Sequence, residues 1–377
     1  MTTHVLIVDE HTFPIHLQYM FAGTGSGEKK VGDIIDCTDN NIHWSREAGL
    51  VSMLADGARI RQGDYIVFYL QQTNRHEGLF FGIFQAAQDS VFIDDNSSAQ
   101  YLKKELKKSL TFRLLIKPCE VYSKGVTEWE ALDVIRGIHS PNQMLWSLIY
   151  RKLKGNRGNT MITEYEAERL FELIRLKNDR TPLTNEHFRY ENKLIIPADS
   201  TSPYLGQTKT ADILQRLKHK YSVHRAHEAH LQAYIVQNIG KGTNPSLDKA
   251  LCITTTDWIG NEVSCGVGMQ RIDILISHHI SDIQREVMPI ELKCIPAETY
   301  NARQLIRYID WLEQYYVPNH PSRIQPILIC RKNKNSISQE VANSFSAFDE
   351  KMKGRCLPLR FIEYHFDHDK LVFERIR

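Results

Sequence analysis

The sequence lacks the features that would place it in several large classes of protein. Its seven cysteines, at positions 37, 119, 252, 265, 294, 330 and 356, include no C-x-x-C pair, and no Cys/His cluster has zinc-site spacing. There is no apolar run of 18 residues that could cross a membrane, and the acidic start MTTHVLIVDEHTFP is unlike a signal peptide. No G-x-x-x-x-G-K-[ST] phosphate-binding loop occurs. These absences predict a reduced, cytoplasmic protein that uses neither a membrane nor a nucleoside triphosphate.

What is present is the composition of an ordinary globular chain. The sequence has 377 residues, of which 42% are hydrophobic and 24% charged. At roughly 100–200 residues per domain, this length predicts two or three domains. The formal net charge is +2, so no global basic excess indicates a nucleic-acid partner, although a local basic stripe could still bind one.

The first 125 residues are rich in strand patterns. A short apolar run at Val5–Val8 is followed by the glycine-rich stretch 22–27, which is typical of a turn. Aromatic and β-branched residues fill the segments 59–71, 78–87 and 111–122, which predicts three strands. We therefore expect a β-rich domain over residues 1–125.

This strand pattern resembles the EVE/PUA class of small β-barrels. The residues that carry the resemblance are Ile60, Arg61, Gly63, Asp64, Phe68, Tyr69, Gly82 and Phe84. The resemblance covers about a third of the chain and implies binding of RNA, or of DNA that contains an unusual base. Trp44, Tyr69 and Phe84 are then candidates for a base-stacking pocket; the alternative is that these aromatic residues belong to the hydrophobic core.

Residues 126–204 change to helical patterns. A helix is predicted over 142–153, and Thr163 with Glu166 forms a capping box that opens a second helix over 163–177. The segment 181–203 has the turn residues of a connector. Between the helices lies a basic loop with four positively charged residues, Arg151, Lys152, Lys154 and Arg157. These side chains are candidates for contacts to DNA phosphates. The alternative is that they are solvated and bind nothing.

From residue 205 to 377 the chain alternates helix and strand patterns, which predicts an α/β domain at the C-terminal end. The predicted helices lie near 209–219, 223–239, 299–316 and 337–353. The predicted strands lie near 271–276, 287–294 and 325–330, before a final hairpin at 358–366 and 370–376. The expected fold class is therefore α+β or α/β and multidomain, with an N-terminal barrel, a helical middle and this C-terminal domain.

Charged residues interrupt two of the apolar strands. Asp273 lies within RIDILI, and Glu291 and Lys293 lie within PIELK. Burial of a carboxylate in a strand is costly unless a cation or hydrogen-bond donors satisfy it. Alternation places Glu291 and Lys293 on one face of their strand, where a neighbouring strand could bring Asp273 alongside. Oxygen ligands of this kind suit Mg²⁺. Alternatively, Asp273 pairs with Arg271 at a hairpin edge, and Glu291 with Lys293 as a surface ion pair.

These two strands resemble the PD-(D/E)xK nuclease pattern, with Asp273 as its aspartate and Glu291-Leu-Lys293 as its E-x-K. The usual proline before the aspartate is absent. Gln304 and Tyr308, four apart on the next helix, resemble the Q-x-x-x-Y element of the RecB-like subgroup. Over about residues 220–330 the likeness extends to the nuclease domain of archaeal mismatch and branched-DNA endonucleases.

The resemblance implies further site residues. The carbonyl of Leu292 would join Asp273 and Glu291 as a metal ligand. Glu228, which shares a helix face with Leu231, would be an outer carboxylate ligand; the alternative is that it extends into solvent. Gln304 and Tyr308 would position the phosphate or Lys293, or else be ordinary solvated helix residues.

Together these patterns predict a Mg²⁺-dependent endodeoxyribonuclease of restriction type that cuts double-stranded DNA at a specific or modified-base site. Two alternatives stay open: a repair endonuclease for mismatched or branched DNA, and a non-catalytic nucleic-acid-binding protein with a nuclease fold. Because a double-strand cut needs two active sites, one catalytic domain per chain predicts a homodimer.

Overall fold

The chain divides into two compact units. The computed structural model describes residues 1–25, 31–35, 42–74, 77–95, 98–133, 137–145, 147–148, 158–265, 270–281, 284–317, 322–334 and 336–377. Unit 1 comprises Met1–His139 and Gln143–Asp212, and unit 2 comprises Ser140–Asn142 and Ile213–Arg377. Apart from Ser140–Asn142, the segment 126–204 thus lies within unit 1.

Unit 1 is built on a mixed sheet of eight strands in its described part. The strands are Thr3–Val8 (β1), Phe21–Thr24 (β2), Tyr65–Leu70 (β3), Leu79–Ala86 (β4), Phe92–Ile93 (β5), Phe112–Pro118 (β6), Val126–Thr127 (β7) and Asn159–Ile162 (β8). Their order is β2-β6-β4-β3-β1-β8, with β5 on β6 and β7 on β4. β1 runs parallel to β3 and antiparallel to β8. Among the described residues this path has two ends, β2 and β8.

Helices and a hairpin accompany this sheet in the described part of unit 1. They are Thr12–Gln18 (α1), Gly32–Ile35 (α2), Trp44–Ala58 (α3), Lys103–Leu106 (α4), Glu128–Leu132 (α5), Glu164–Lys177 (α6), Phe188–Glu191 (β9) and Leu194–Pro197 (β10). The predicted capping box of α6 is confirmed: the Thr163 hydroxyl accepts from the Glu166 N–H, and the Glu166 carboxylate accepts from the Thr163 N–H.

The core of unit 1 draws on both sides of residue 126. Val5, Val67 and Phe80 of the sheet share one hydrophobic cluster with Leu170 and Ile174 of α6. Because each amphipathic face must be buried against another element, the sheet needs the later helix to close its core. The strands before residue 126 therefore need α6 to bury their apolar side chains.

Several sequence predictions for unit 1 are confirmed and others are wrong. The strands expected at 78–87 and 111–122 are present as β4 and β6. The strand expected at 59–71 begins only at Tyr65, because Arg61–Asp64 form a hydrogen-bonded turn on which Asp64 caps the Arg61 N–H. The first part of the turn expected at 22–27 belongs to strand β2, and residues 26–27 lie outside the described residues. The connector 181–203 contains the hairpin β9–β10. Helix α3 was not predicted at all.

Unit 2 is an α/β arrangement around a second mixed sheet. Its elements are Leu214–Ser222 (α7), Glu228–Asn238 (α8), Pro245–Leu251 (α9), Trp258–Ser264 (β11), Arg271–Ser281 (β12), Gln284–Lys293 (β13), Asn301–Trp311 (α10), Ser322–Ile324 (β14), Ile327–Arg331 (β15), Gln339–Lys351 (α11), Arg360–Asp367 (β16) and Lys370–Arg375 (β17). The strand order is β11-β12-β13-β15-β16-β17, with β14 beside β13.

The directions of these strands place the charged strands at the centre of the sheet. β12 and β13 form an antiparallel hairpin. β13, β15 and β16 run parallel, and helices α10 and α11 lie in the connections between them. The predicted order of elements from 205 to 377 is confirmed, except that α9, β11 and β14 were missed. Helix α10 continues as a π-helical turn over Leu312–Tyr316.

Within the described residues, no helix combines the length and apolar character that crossing a bilayer requires. The chain as a whole is an α+β protein.

Candidate functional site

The hairpin β12–β13 brings the sequence-predicted carboxylates together. Ile274 pairs with Ile290 across the antiparallel ladder, so Asp273 and Glu291 are the next residues along the two strands. The backbone N–H of Leu292 donates to Asp273 Oδ2 over 2.8 Å, which joins the strands at this point. Since N–H and C=O of one strand residue point to the same side, the carbonyl of Leu292 also faces β12.

Glu291 is a buried carboxylate held from two sides. Its side chain is 2% exposed. Lys293 Nζ lies 2.5 Å from Oε1, and the Tyr308 hydroxyl of α10 lies 2.6 Å from Oε2. The ion pair therefore exists, but it is not the surface pair of the alternative interpretation. Burial with a cation and a hydroxyl donor satisfies the charge and fixes the orientation of the carboxylate.

Asp273 is a destabilised anion in this setting. Burial raises its pKa well above the usual value, and the neighbouring Glu291 carboxylate raises it further. The Leu292 N–H and Lys293 act in the opposite direction but do not compensate. The alternative pairing of Asp273 with Arg271 is wrong, because Arg271 pairs with Glu262, at 2.6 Å. Two close carboxylates share one ammonium, so ionisation of both leaves an excess of negative charge at the site.

Lys293 is held in its protonated form. Burial opposes its charge, but the charge of Glu291 and the hydrogen bond to it outweigh burial, and the pKa of Lys293 is raised overall. Its ammonium group thus acts as a hydrogen-bond donor and a fixed positive charge near neutral pH.

Helix α8 contributes Glu228 and Gln232, which are four residues apart. Glu228 is the first residue of the helix and is exposed, and its Oε1 accepts weakly from the Cys294 N–H at 3.4 Å. Gln232 is 5% exposed, and its Nε2 donates to the carbonyl of Asp273 at 2.8 Å. Gln232 Oε1 is buried without a hydrogen-bond partner. Sequence reasoning missed Gln232 as a site residue, although its position on the face of Glu228 was a usable signal.

Hydrogen-bonding groups also connect the N-terminal end of α8 to Lys293 through Tyr364 of β16. His227 Nδ1 lies 2.8 Å from the Arg225 carbonyl, and its Nε2 lies 2.8 Å from the Tyr364 hydroxyl of β16. Burial lowers the pKa of His227 to about 4, so the neutral ring donates at Nδ1 and accepts at Nε2. The same Tyr364 oxygen lies 3.3 Å from the carbonyl of Lys293. No sequence signal had singled out His227 or Tyr364.

Gln304 and Tyr308 share a face of α10 as predicted. Both line a cavity of about 130 Å³ together with Gln270, Arg271 and Arg307. Tyr308 is buried, and its hydroxyl also lies 2.8 Å from the Arg271 carbonyl oxygen. Tyr308 is therefore not a solvated helix residue; Gln304 is half-buried and touches the cavity instead of the carboxylates.

The oxygen atoms at this site suit a hard cation that takes few ligands from the protein and keeps several waters. No group of three or more His, Cys, Asp or Glu side chains is arranged to hold a metal among the described residues. Mg²⁺ commonly takes one or two carboxylates and keeps several waters, so a pair of carboxylates with a carbonyl suffices. A divalent cation between Asp273 and Glu291 would also relieve the repulsion that raises the pKa of Asp273.

The remaining predicted site residues lie away from this cluster. Tyr69 and Phe84 are fully buried in unit 1, and the Tyr69 hydroxyl donates to Glu128 Oε2 at 2.7 Å. Trp44 is 68% exposed at the start of α3, so the three aromatic residues do not form one stacking surface. The four basic residues of the predicted phosphate-contact loop, Arg151, Lys152, Lys154 and Arg157, lie outside the described residues.

Comparison with known proteins gives no assignment. No protein-family model matches the chain, and no curated protein does. A solved structure titled "Structure of Hypothetical protein from Leishmania major" aligns with 47% of this chain and 96% of that chain, at 12% identity and a TM-score of 0.28. A similarity of that size supports no inference about fold or activity.

Proposed function

We propose that the protein is a Mg²⁺-dependent endonuclease whose active site is Asp273, Glu291 and Lys293. The observation that carries the proposal is the placement of Asp273 and Glu291 side by side on β12 and β13, with the Lys293 ammonium 2.5 Å from Glu291. A structural ion pair needs one carboxylate for one ammonium. Here a second, destabilised carboxylate is retained, which is the arrangement that a cation site requires.

The proposed ligands are the carboxylates of Asp273 and Glu291 and the carbonyl of Leu292, with Glu228 as an outer carboxylate. When bound, Mg²⁺ would polarise the scissile phosphodiester and lower the pKa of a bound water. Tyr308 orients Glu291 by its hydrogen bond to Oε2, and Gln232 orients the backbone of Asp273.

The role proposed for Lys293 follows from its protonation state. Because the pKa of Lys293 is raised, its ammonium donates and does not accept a proton near neutral pH. Lys293 therefore orients the attacking water, or a non-bridging phosphate oxygen, and offsets the negative charge that develops in the transition state.

The proposed substrate is double-stranded DNA, cut at a specific sequence or a modified base. Unit 1 would supply target choice, and the basic loop 151–157, which belongs to the same unit, would add sequence-independent phosphate contacts. A homodimer would supply the two active sites that a double-strand cut needs. Light scattering of the purified protein, with and without a duplex, tests the oligomeric state directly.

The deciding experiment is digestion of methylated and unmethylated supercoiled plasmid with Mg²⁺, followed by mapping of the ends. We expect cleavage to fall by about 10²-fold or more in Asp273→Ala, Glu291→Ala and Lys293→Ala, while duplex binding in EDTA persists. Asp369→Ala, at a carboxylate of the same unit whose side chain is 77% exposed, is the matched control.

The result also separates the alternatives. Full activity in any of the three variants would remove the proposed site. Preferential cleavage of mismatched or branched duplexes would indicate a repair endonuclease, and binding without cleavage in Mg²⁺ would indicate a non-catalytic protein.

A further inference from the structure

A cationic cavity shares Tyr308 with the proposed active site. It is lined by Gln270, Arg271, Gln304, Arg307 and Tyr308 and has a volume of about 130 Å³. At a share of roughly 30 Å³ per water molecule, it has room for about four waters, or for one small polyatomic group. Tyr308 belongs to both sites, because its hydroxyl touches Glu291 and the Arg271 backbone.

The cavity has a net positive charge. Arg271 is neutralised by Glu262, whose Oε2 lies 2.6 Å from its Nη1. Arg307 is exposed on α10, and it has no ion-pair partner within the part of the chain that the structure describes. The remaining lining groups are two carboxamides, which can donate hydrogen bonds, and the Tyr308 phenol, whose hydroxyl contacts Glu291. Guanidinium and carboxamide groups around a small polar space match a tetrahedral oxyanion.

Arg307 is electrostatically close to the carboxylate site. The buried Cys265 thiol has its pKa raised to about 12, first by burial and then by the charge of Glu291, whereas Arg307 acts on it in the opposite direction. One thiol therefore lies within range of both the Glu291 carboxylate and the Arg307 guanidinium. Because Tyr308 contacts Glu291 and also lines the cavity, one side chain separates the cavity from the carboxylates that would handle the scissile phosphate.

We propose that this cavity binds a second, non-scissile phosphate of a nucleic-acid strand, with Arg307 as the principal cation. The proposal rests on the proposed nuclease function and names a substrate contact that it does not otherwise contain. Arg307 would neutralise the phosphate, and Gln304 and Gln270 would donate to its non-bridging oxygens, while Tyr308 keeps the cavity in register with Glu291. The strand would then be held at two consecutive points, which aligns the scissile bond.

The chain offers a matched pair of arginines for the test. Arg303 lies one turn before Arg307 on α10, is exposed, and does not line the cavity. Binding of a fluorescent duplex is measured in EDTA at several salt concentrations, with the duplex carrying either a 5′-phosphate or a 5′-hydroxyl. We expect Arg307→Ala to weaken binding about tenfold and to reduce the salt slope by about 1, and Arg303→Ala to match the wild type.

The two duplexes distinguish the source of the phosphate. A loss in Arg307→Ala that is equal for both duplexes indicates an internal phosphodiester, and a loss confined to the 5′-phosphorylated duplex indicates a terminal phosphate. If the wild type binds duplex DNA and Arg307→Ala binds it equally well at every salt concentration, the subsite does not exist.

A second measurement separates this proposal from the nuclease proposal. Arginine modification by phenylglyoxal is followed by peptide mass spectrometry, with and without millimolar pyrophosphate. Protection of Arg307 but not of Arg303 supports an anion subsite even if the protein neither binds nor cleaves DNA. Equal modification of Arg307 with and without pyrophosphate overturns the subsite, whereas the nuclease proposal is decided separately by the plasmid cleavage assay.

Discussion

Glu291 and Asp273 show how two carboxylates on adjacent strands acquire different environments. Glu291 has a lysine on one oxygen and a tyrosine hydroxyl on the other. Asp273 has only a backbone N–H on Oδ2 and the repulsion of its neighbour, so the pKa of Asp273 is raised. The charge of Glu291 is therefore compensated within the fold, whereas the charge of Asp273 costs stability unless something positive binds beside it.

Replacing Asp273 by Asn tests this imbalance. The amide oxygen can still accept from the Leu292 N–H, but the buried negative charge is gone. We expect Asp273→Asn to raise the free energy of unfolding at pH 8 in EDTA by on the order of 1 kcal/mol. Asp273→Ala, which leaves the Leu292 N–H without its acceptor, should be less stable than Asp273→Asn. Urea titration followed by circular dichroism measures both, and a less stable Asn variant would contradict the imbalance.

His16 makes the stability of unit 1 depend on pH. The ring is buried, its Nδ1 lies 3.0 Å from the Phe21 carbonyl, and burial lowers its pKa to about 3. Between about pH 3 and the unfolded value near 6.5 the unfolded chain binds the extra proton, so stability rises with pH across this window and falls as pH decreases.

We expect His16→Gln to flatten this dependence. Between pH 6.5 and 5 the wild type should lose up to roughly 1.4 kcal/mol per pH unit through this group, and the variant should lose less. Urea titrations at pH 7.5, 6 and 5 measure the slope. His368→Gln, at a fully exposed histidine of unit 2, is the control. An identical slope in wild type and His16→Gln would show that His16 is not the responsible group.

At the scale of elements, the strongest sequence signals were those in which local chemistry and tertiary packing agree. The capping box of α6 and the apolar strands β12, β13 and β15 were predictable because alternation and capping are local patterns. Helix α3 was missed, because the sequence around it suggested only strands and turns, and its buried face depends on the sheet behind it. Strand β11 was missed because its apolar pattern is broken by Gly260, Asn261 and Glu262.

The N-terminal cap of α6 is expected to contribute measurably to the free energy of unfolding of unit 1. Thr163→Ala removes the hydroxyl that accepts the Glu166 N–H and should cost about 1 kcal/mol of unit 1 stability, whereas Thr163→Ser should retain most of it. Thr181→Ala, at an exposed threonine just beyond the helix, is the control. Urea unfolding followed by circular dichroism compares the four proteins. Equal stability of Thr163→Ala and the wild type would mean that water replaces the cap.

At the scale of the whole molecule, the division of the chain lies at 212/213, well beyond the composition change near residue 126. Strand β8 completes the sheet beside β1, and α6 supplies Leu170, Phe171 and Ile174 to its core. A cut at residue 125 would expose that core, which costs about 25 cal/mol per Å² of apolar surface.

Fragments test this division. We expect residues 1–212 to give a folded, cooperatively unfolding protein and residues 1–125 to be insoluble or to lack a cooperative transition. Residues 213–377 should fold as well, although they lose the Asn142 side-chain bond to the Tyr316 carbonyl. Circular dichroism with thermal and urea unfolding decides. A stably folded 1–125 fragment would restore the boundary that the composition suggests.

The sequence by itself determined the class and order of most elements and the identity of the charged residues in two central strands, because alternation, capping and buried charge are properties of short segments. Only the tertiary structure decided how those charges are used. Tyr308 on Glu291, Gln232 on the Asp273 carbonyl, and the cavity of Arg271 and Arg307 each join residues 17 to 41 positions apart, or different faces of separate elements. Such contacts depend on strand register and helix placement, which local sequence patterns do not specify.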